Sequence, residues 1–88
     1  MNIVEMREKI DSIDDQILKL FIERMNICKE VAQYKADRNM MILDTVREME
    51  ILTRVTGGIP MEYDDAVRSL FLTIMDHSRQ VQAKITQK

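Results

Sequence analysis

The run MREKIDSIDDQILKLFIERMNICKEVAQYK, residues 6–35, contains neither glycine nor proline, and its apolar residues recur at steps of three and four. Met6, Ile10, Ile13, Ile17, Leu20, Ile27 and Val31 fall on one face, with Asp11, Asp15, Lys19, Glu23, Glu30 and Gln33 opposite. This is the pattern of an amphipathic helix. The helix is predicted to run from about residue 5 to about residue 38, where Asp37, Arg38 and Asn39 form a polar stop and Asn39 suits a left-handed C-terminal conformation. Such a helix would be about 50 Å long at 1.5 Å per residue, whereas a compact chain of this size has a radius of gyration of only about 12 Å. A rod that long leaves much of its apolar face uncovered by its own chain. The economical solution is a dimer whose long helices pack together.

Beyond this run the punctuation is sparse. Glycine and proline are absent from residues 1–56, and the two glycines and the single proline all fall in GGIP, residues 57–60. A second helix is expected to start near Asp44 or Thr45, where Thr45 and Glu48 have capping-box spacing, and to end at Gly57. A third should start just after Pro60 and run to about residue 85 on Val67, Leu70, Phe71, Ile74, Val81 and Ile85. No segment alternates with period two for long enough to form a strand. The expected fold is all-α, with three helices per chain, one long, one short and one medium, intertwined in a helical homodimer. Residues 1–88 read as a single domain without repeats or linkers.

Composition narrows the function. The chain has 88 residues, 45% apolar and 32% charged, with a net charge of −2. It therefore lies near the lower end of what buries a self-sufficient core. Nucleic acid and anionic membrane are poor partners for such a charge balance, since both require a clustered basic surface. One cysteine, no apolar run near 18 residues and no signal-peptide pattern point to a soluble chain in a reducing compartment, read as the cytoplasm.

Each helix carries polar residues in the seam that ought to be buried. Arg24 is at the angular centre of an apolar arc formed by Ile17, Leu20, Cys28 and Val31, all within about 40° of it, and Lys35 follows on the same line. In the second helix Asp44, Arg47 and Glu48 begin the stripe that ends in Ile51 and Val55. In the third, Ser78 is the centre of the arc and Gln82 lies one turn on. One explanation is structural: Arg24 pairs with Glu48, Lys35 with Asp44, and Ser78 and Gln82 satisfy backbone groups. Because buried charges are costly even when paired, their coincidence in all three seams favours a polar pocket inside a bundle. Arg24, Lys35 and Arg47 outnumber Asp44 and Glu48, which suits a ligand with more than one carboxylate.

Other chemistries lack their parts. His77 is the only histidine and sits about 100° around the helix from Ser78, so the two cannot form a nucleophile–base pair. Neither a metal-ligand set nor a glycine-rich phosphate loop is present in the sequence. Cys28 and the eight methionines read as core residues.

The run 6–35, followed by LDTVREMEIL (43–52) and FLTIMDHSRQVQ (71–82), resembles the all-α chorismate mutases of the AroQ class over nearly the whole chain. The shared pattern is an arginine early in the first helix (Arg7), E-R at 23–24 with lysine at 35, D-x-x-R-E at 44–48, and S-x-x-x-Q at 78–82. The resemblance implies an isomerase that converts chorismate to prephenate in Phe/Tyr biosynthesis, with no metal or cofactor. It also implies a monofunctional chain, since the sequence spans one such domain, and a homodimer in which Arg7 enters the other subunit's site. By the same resemblance Arg24, Ser78 and the partner's Arg7 would hold the substrate carboxylates, and Lys35 and Gln82 would donate to the ether oxygen. Glu48 would accept from the ring hydroxyl with Asp44 beside it, and Arg47 would complete the charge network. Two alternatives stand beside this reading. An isochorismate-pyruvate lyase shares the scaffold, although Glu48 suits the ring hydroxyl of chorismate better. A non-catalytic dimerisation module would leave the seam charges without a purpose.

Overall fold

The computed structural model describes residues 2–86. Within them the chain forms three α-helices: α1 (Ile3–Asp37), α2 (Thr45–Thr56) and α3 (Asp64–Thr86), the last entered through a short 3-10 turn over Met61–Tyr63. The described residues contain no strand, as the periodicity predicts.

Local chemistry sets the boundaries. The α1 helix starts two residues earlier than its apolar pattern suggests, because the Asn2 side chain accepts from the Glu5 amide at 2.9 Å and so caps the first turn. It closes at Asn39, whose φ of 53° lets the Met40 amide return to the Lys35 carbonyl at 2.8 Å. The start of α2 corrects one expectation. Asp44 rather than Thr45 is the N-cap, its carboxylate accepting from the Arg47 amide at 3.0 Å. The capping side chain lies one residue upstream of the expected Thr45–Glu48 box, which leaves Glu48 free for a partner elsewhere. At the other end Gly58 adopts φ 90°, a conformation that favours glycine, and Pro60 starts the turn into α3.

The helices pack around α3. Phe21 meets His77 edge to face with ring centroids 6.3 Å apart, and three residues on Arg24 meets Ser78, so α1 and α3 run parallel. Arg68 reaches Thr56 while Arg79 reaches Glu48, so α2 runs antiparallel to α3. Both flanking helices pack on α3 but make no close backbone approach to each other. A cleft therefore opens between α1 and α2, with α3 as its floor.

The core within one chain is small and lies off the predicted stripe. Met25, Ala32, Ile51 and Met75 are the buried apolar residues. On α1 the line Met25–Ala32 faces α3, while Ile13, Leu20 and Ile27, which belong to the predicted apolar face, are 54–61% exposed. Leu20 and Ile27 lie about 120–140° around the helix from Ala32, so α3 covers only one edge of the arc. The methionines divide likewise: Met25 and Met75 fill the core, whereas Met6, Met40, Met41, Met49 and Met61 are exposed and do not. The molecule measures 54 × 26 × 14 Å with a radius of gyration of 16.3 Å, an elongated shape set by α1. No helix among the described residues is long and apolar enough to cross a membrane.

Candidate active site

The cleft contains a cavity of about 290 Å³. Seven residues singled out in the sequence line it together: Arg24 and Lys35 from α1, Asp44, Arg47 and Glu48 from the start of α2, and Ser78 and Gln82 from α3. Arg7 does not. It lies on the exposed N-terminal part of α1, 28 residues before Lys35 and hence about 42 Å from it along the axis. The fold brings the seven together because each sits where its own helix turns toward the cleft. Ser78 and Gln82 are buried on α3 at i and i+4, which are neighbouring positions on a helical face.

The pairings differ from the structural explanation offered by the sequence. Arg24 Nη1 donates to Ser78 Oγ and lies 3.9 Å from Cys28 Sγ, so it does not pair with Glu48. Ser78 in turn donates to the Ile74 carbonyl at 2.8 Å, which commits its single proton and makes its oxygen an acceptor for Arg24. Lys35 Nζ donates to the Ile42 carbonyl at 3.0 Å rather than to Asp44, tying the α1–α2 loop to the cleft wall with one of its three protons. Among the described residues no carboxylate lies within ion-pair distance of Arg24 or Lys35. Asp44 is occupied in capping, and Arg47 reaches Glu50 at 3.6 Å on the exposed rim, where such a pair contributes little. Gln82 Oε1 is buried with no hydrogen-bond partner among the described residues. An unmet buried acceptor costs about 1–3 kcal/mol, which only a hydrogen-bond donor could recover.

Glu48 is paired with Arg79, a residue that the sequence reasoning missed. Arg79 also lines the cavity, raising the count to four cations against Asp44 and Glu48. Its place immediately after Ser78, and three residues before Gln82, was the available signal. It was obscured because Glu48 already had a candidate partner in Arg24. Cys28 lines the cavity wall as well and is only partly buried, so it is not a simple core residue. His77 lies outside this cavity, against Phe21 in a separate groove of about 700 Å³ lined mostly by apolar residues of α1 and α3.

Residues 6–83 match the family model described as chorismate mutase type II. The chain belongs to this family. A bifunctional chorismate mutase/prephenate dehydratase of Buchnera aphidicola is 32% identical over 87 residues, which cover 93% of this chain and 22% of that protein. A chorismate mutase of Methanocaldococcus jannaschii is 43% identical over 53 residues, 60% of this chain and 54% of the relative. A bifunctional chorismate mutase/prephenate dehydratase of Aquifex aeolicus is 37% identical over 51 residues, 58% of this chain and 14% of that protein. The chain thus aligns with about half or less of the length of these curated relatives. No solved structure matches significantly. Membership of the chorismate mutase type II family agrees with the all-helical architecture.

Proposed function

We propose that the chain is a chorismate mutase, an isomerase that rearranges chorismate to prephenate for aromatic amino acid synthesis in the cytoplasm. One observation carries the reading: Arg24 and Lys35 line a single cleft without a carboxylate partner among the described residues, beside the buried side chain of Gln82. Two unopposed cations in a partly buried site favour a ligand that brings its own negative charge.

The reaction breaks the ether C–O bond of the enolpyruvyl group as a C–C bond forms, within one molecule and without loss or gain of a proton. It therefore needs no nucleophile or base. Arg24 and Ser78 hold carboxylate, and Ser78 can donate to it only by turning its proton away from the Ile74 carbonyl. Lys35 keeps its loop tether and still has two protons to direct at the ether oxygen, where Gln82 supplies a neutral donor. Negative charge grows on that oxygen in the transition state, so these donors lower the barrier. Glu48 accepts from the ring hydroxyl, Asp44 orders the first turn of α2 beside it, and Arg47 adds to the positive field at the rim. Holding the side chain over the ring in its reactive geometry contributes the rest.

The active unit in this proposal is an intertwined homodimer, with Arg7 of the partner subunit entering the site. Support comes from the shape and the exposed apolar surface. The radius of gyration of 16.3 Å exceeds the value of about 12 Å for a compact chain of this length. Leu20 and Ile27 stand about 60% exposed on a helix that should bury them. The four buried apolar side chains among the described residues are few to offset an ordering entropy on the order of 1 kcal/mol or more per residue. A second copy laid along α1 covers the exposed arc and brings in the distant arginine. Loss of chorismate absorbance on incubation with the purified chain, with prephenate as product, is the test.

A further inference from the structure

Arg79 and Glu48 form the only ion pair among the described residues that joins two helices; the others link positions three or four apart on one helix. Both members are partly buried, with side chains 32% and 23% exposed, and both line the cavity. Arg79 is itself braced. Its Nη2 lies 3.4 Å from Asp76 Oδ1, and Asp76 Oδ2 accepts from Gln80 at 2.9 Å. The guanidinium is thus held from its own helix while Nη1 donates to Glu48 Oε2 on α2.

We infer that Arg79 is a positioning residue for Glu48, fixing one oxygen of that carboxylate so that the other faces the substrate's ring hydroxyl. The inference rests on the mutase reading of this site. A glutamate side chain has three rotatable bonds, and a free one spreads its oxygens over many positions. Arg79 removes that freedom from the same helix that carries Ser78 and Gln82, so the acceptor on α2 keeps a fixed relation to the donors on α3. It has a second effect on the same carboxylate. Arg24 and Lys35 line the same cavity without anionic partners, and a Glu48 released from Arg79 is free to turn toward them. It would then compete with the substrate carboxylates for the cations that hold them.

Both effects act through Glu48, which gives the inference a sharp test. Steady-state kinetics on chorismate are measured for the unmutated chain, Arg79→Met, Arg79→Lys, Glu48→Gln and the Glu48→Gln/Arg79→Met pair, with helical circular dichroism and thermal midpoints recorded for each. Arg79→Met should keep its helical content and lose about tenfold or more in kcat/KM, the scale of one charge-assisted hydrogen bond. Arg79→Lys should recover much of that loss by restoring the cation. In the Glu48→Gln background the same Arg79→Met change should have little further effect, because the second carboxylate oxygen that Arg79 turns toward the ring hydroxyl is gone. A merely structural arginine would lower the thermal midpoint equally in both backgrounds and would cost activity equally in both. Unchanged kcat/KM in Arg79→Met, or a loss of the same size with and without Glu48, would overturn the inference. If Arg79→Met does not fold, Arg79→Gln replaces it in both backgrounds. Failure of the unmutated chain to convert chorismate would overturn the parent reading, whereas normal conversion with an indifferent Arg79→Met overturns only this one.

Discussion

Arg24 of α1 donates to Ser78 of α3, and the Ser78 hydroxyl in turn donates to the Ile74 carbonyl at 2.8 Å. The cation is therefore held by a neutral hydroxyl rather than neutralised by a carboxylate. That distinguishes a charge placed for a ligand from one placed for the fold, since replacing a poorly compensated buried charge by an apolar group often leaves stability unchanged or raised.

Arg24→Leu should accordingly keep its helical circular dichroism and a thermal midpoint equal to or above that of the parent, while chorismate turnover falls by about 100-fold or more. A variant with retained turnover would remove Arg24 from the groups that hold the substrate.

The separation between Arg7 and the rest of the site predicts complementation. Arg7→Ala and Arg24→Ala chains, each inactive alone, should regain activity when unfolded together and refolded as a mixture. At equal mixing half of the dimers are mixed, and each carries one intact site, so about a quarter of the parent activity should return. No recovery in a preparation with confirmed heterodimers would mean that Arg7 does not enter the partner's site.

The same geometry shows what could be read from the sequence. The GGIP break, the Asn39 stop and the three helices were legible because turns and caps depend on residues a few positions apart. Seven of the cavity residues were legible because each lies in the seam of its own helix. The partners of those residues were not, since they depend on how the helices rotate against one another. Arg24 turned out to face Ser78 rather than Glu48, and Glu48 to face Arg79. The same rotation places Met25 and Ala32, which lie off the predicted apolar face, in the core and leaves Leu20, which lies on it, exposed.

Lys35 should act mainly in the transition state, because charge on the ether oxygen develops only there. Lys35→Ala is expected to lower kcat by more than about 100-fold, the scale of losing one oxyanion donor. A raised KM with near-normal kcat in steady-state assays would reassign Lys35 to ground-state binding.

Gln82 offers a test by pH. Its amide donates at any ordinary pH, whereas glutamate donates only when protonated and as a carboxylate repels the developing charge. Gln82→Glu should be active in acid and lose kcat as pH rises through the pKa of the new carboxyl, while the parent shows no such loss. A flat profile for the variant from about pH 5 to 8, spanning the usual and raised range for a glutamate, would remove Gln82 from the ether oxygen.

The proposed activity is tested most directly by incubating the purified chain separately with chorismate and with isochorismate, following absorbance and identifying the products. Chorismate should disappear with formation of prephenate and no pyruvate, and the rate should be proportional to the concentration of the chain. Inertness toward chorismate, or release of pyruvate from isochorismate as the dominant reaction, would contradict the assignment of the Arg24–Lys35–Gln82 cleft as a chorismate mutase site.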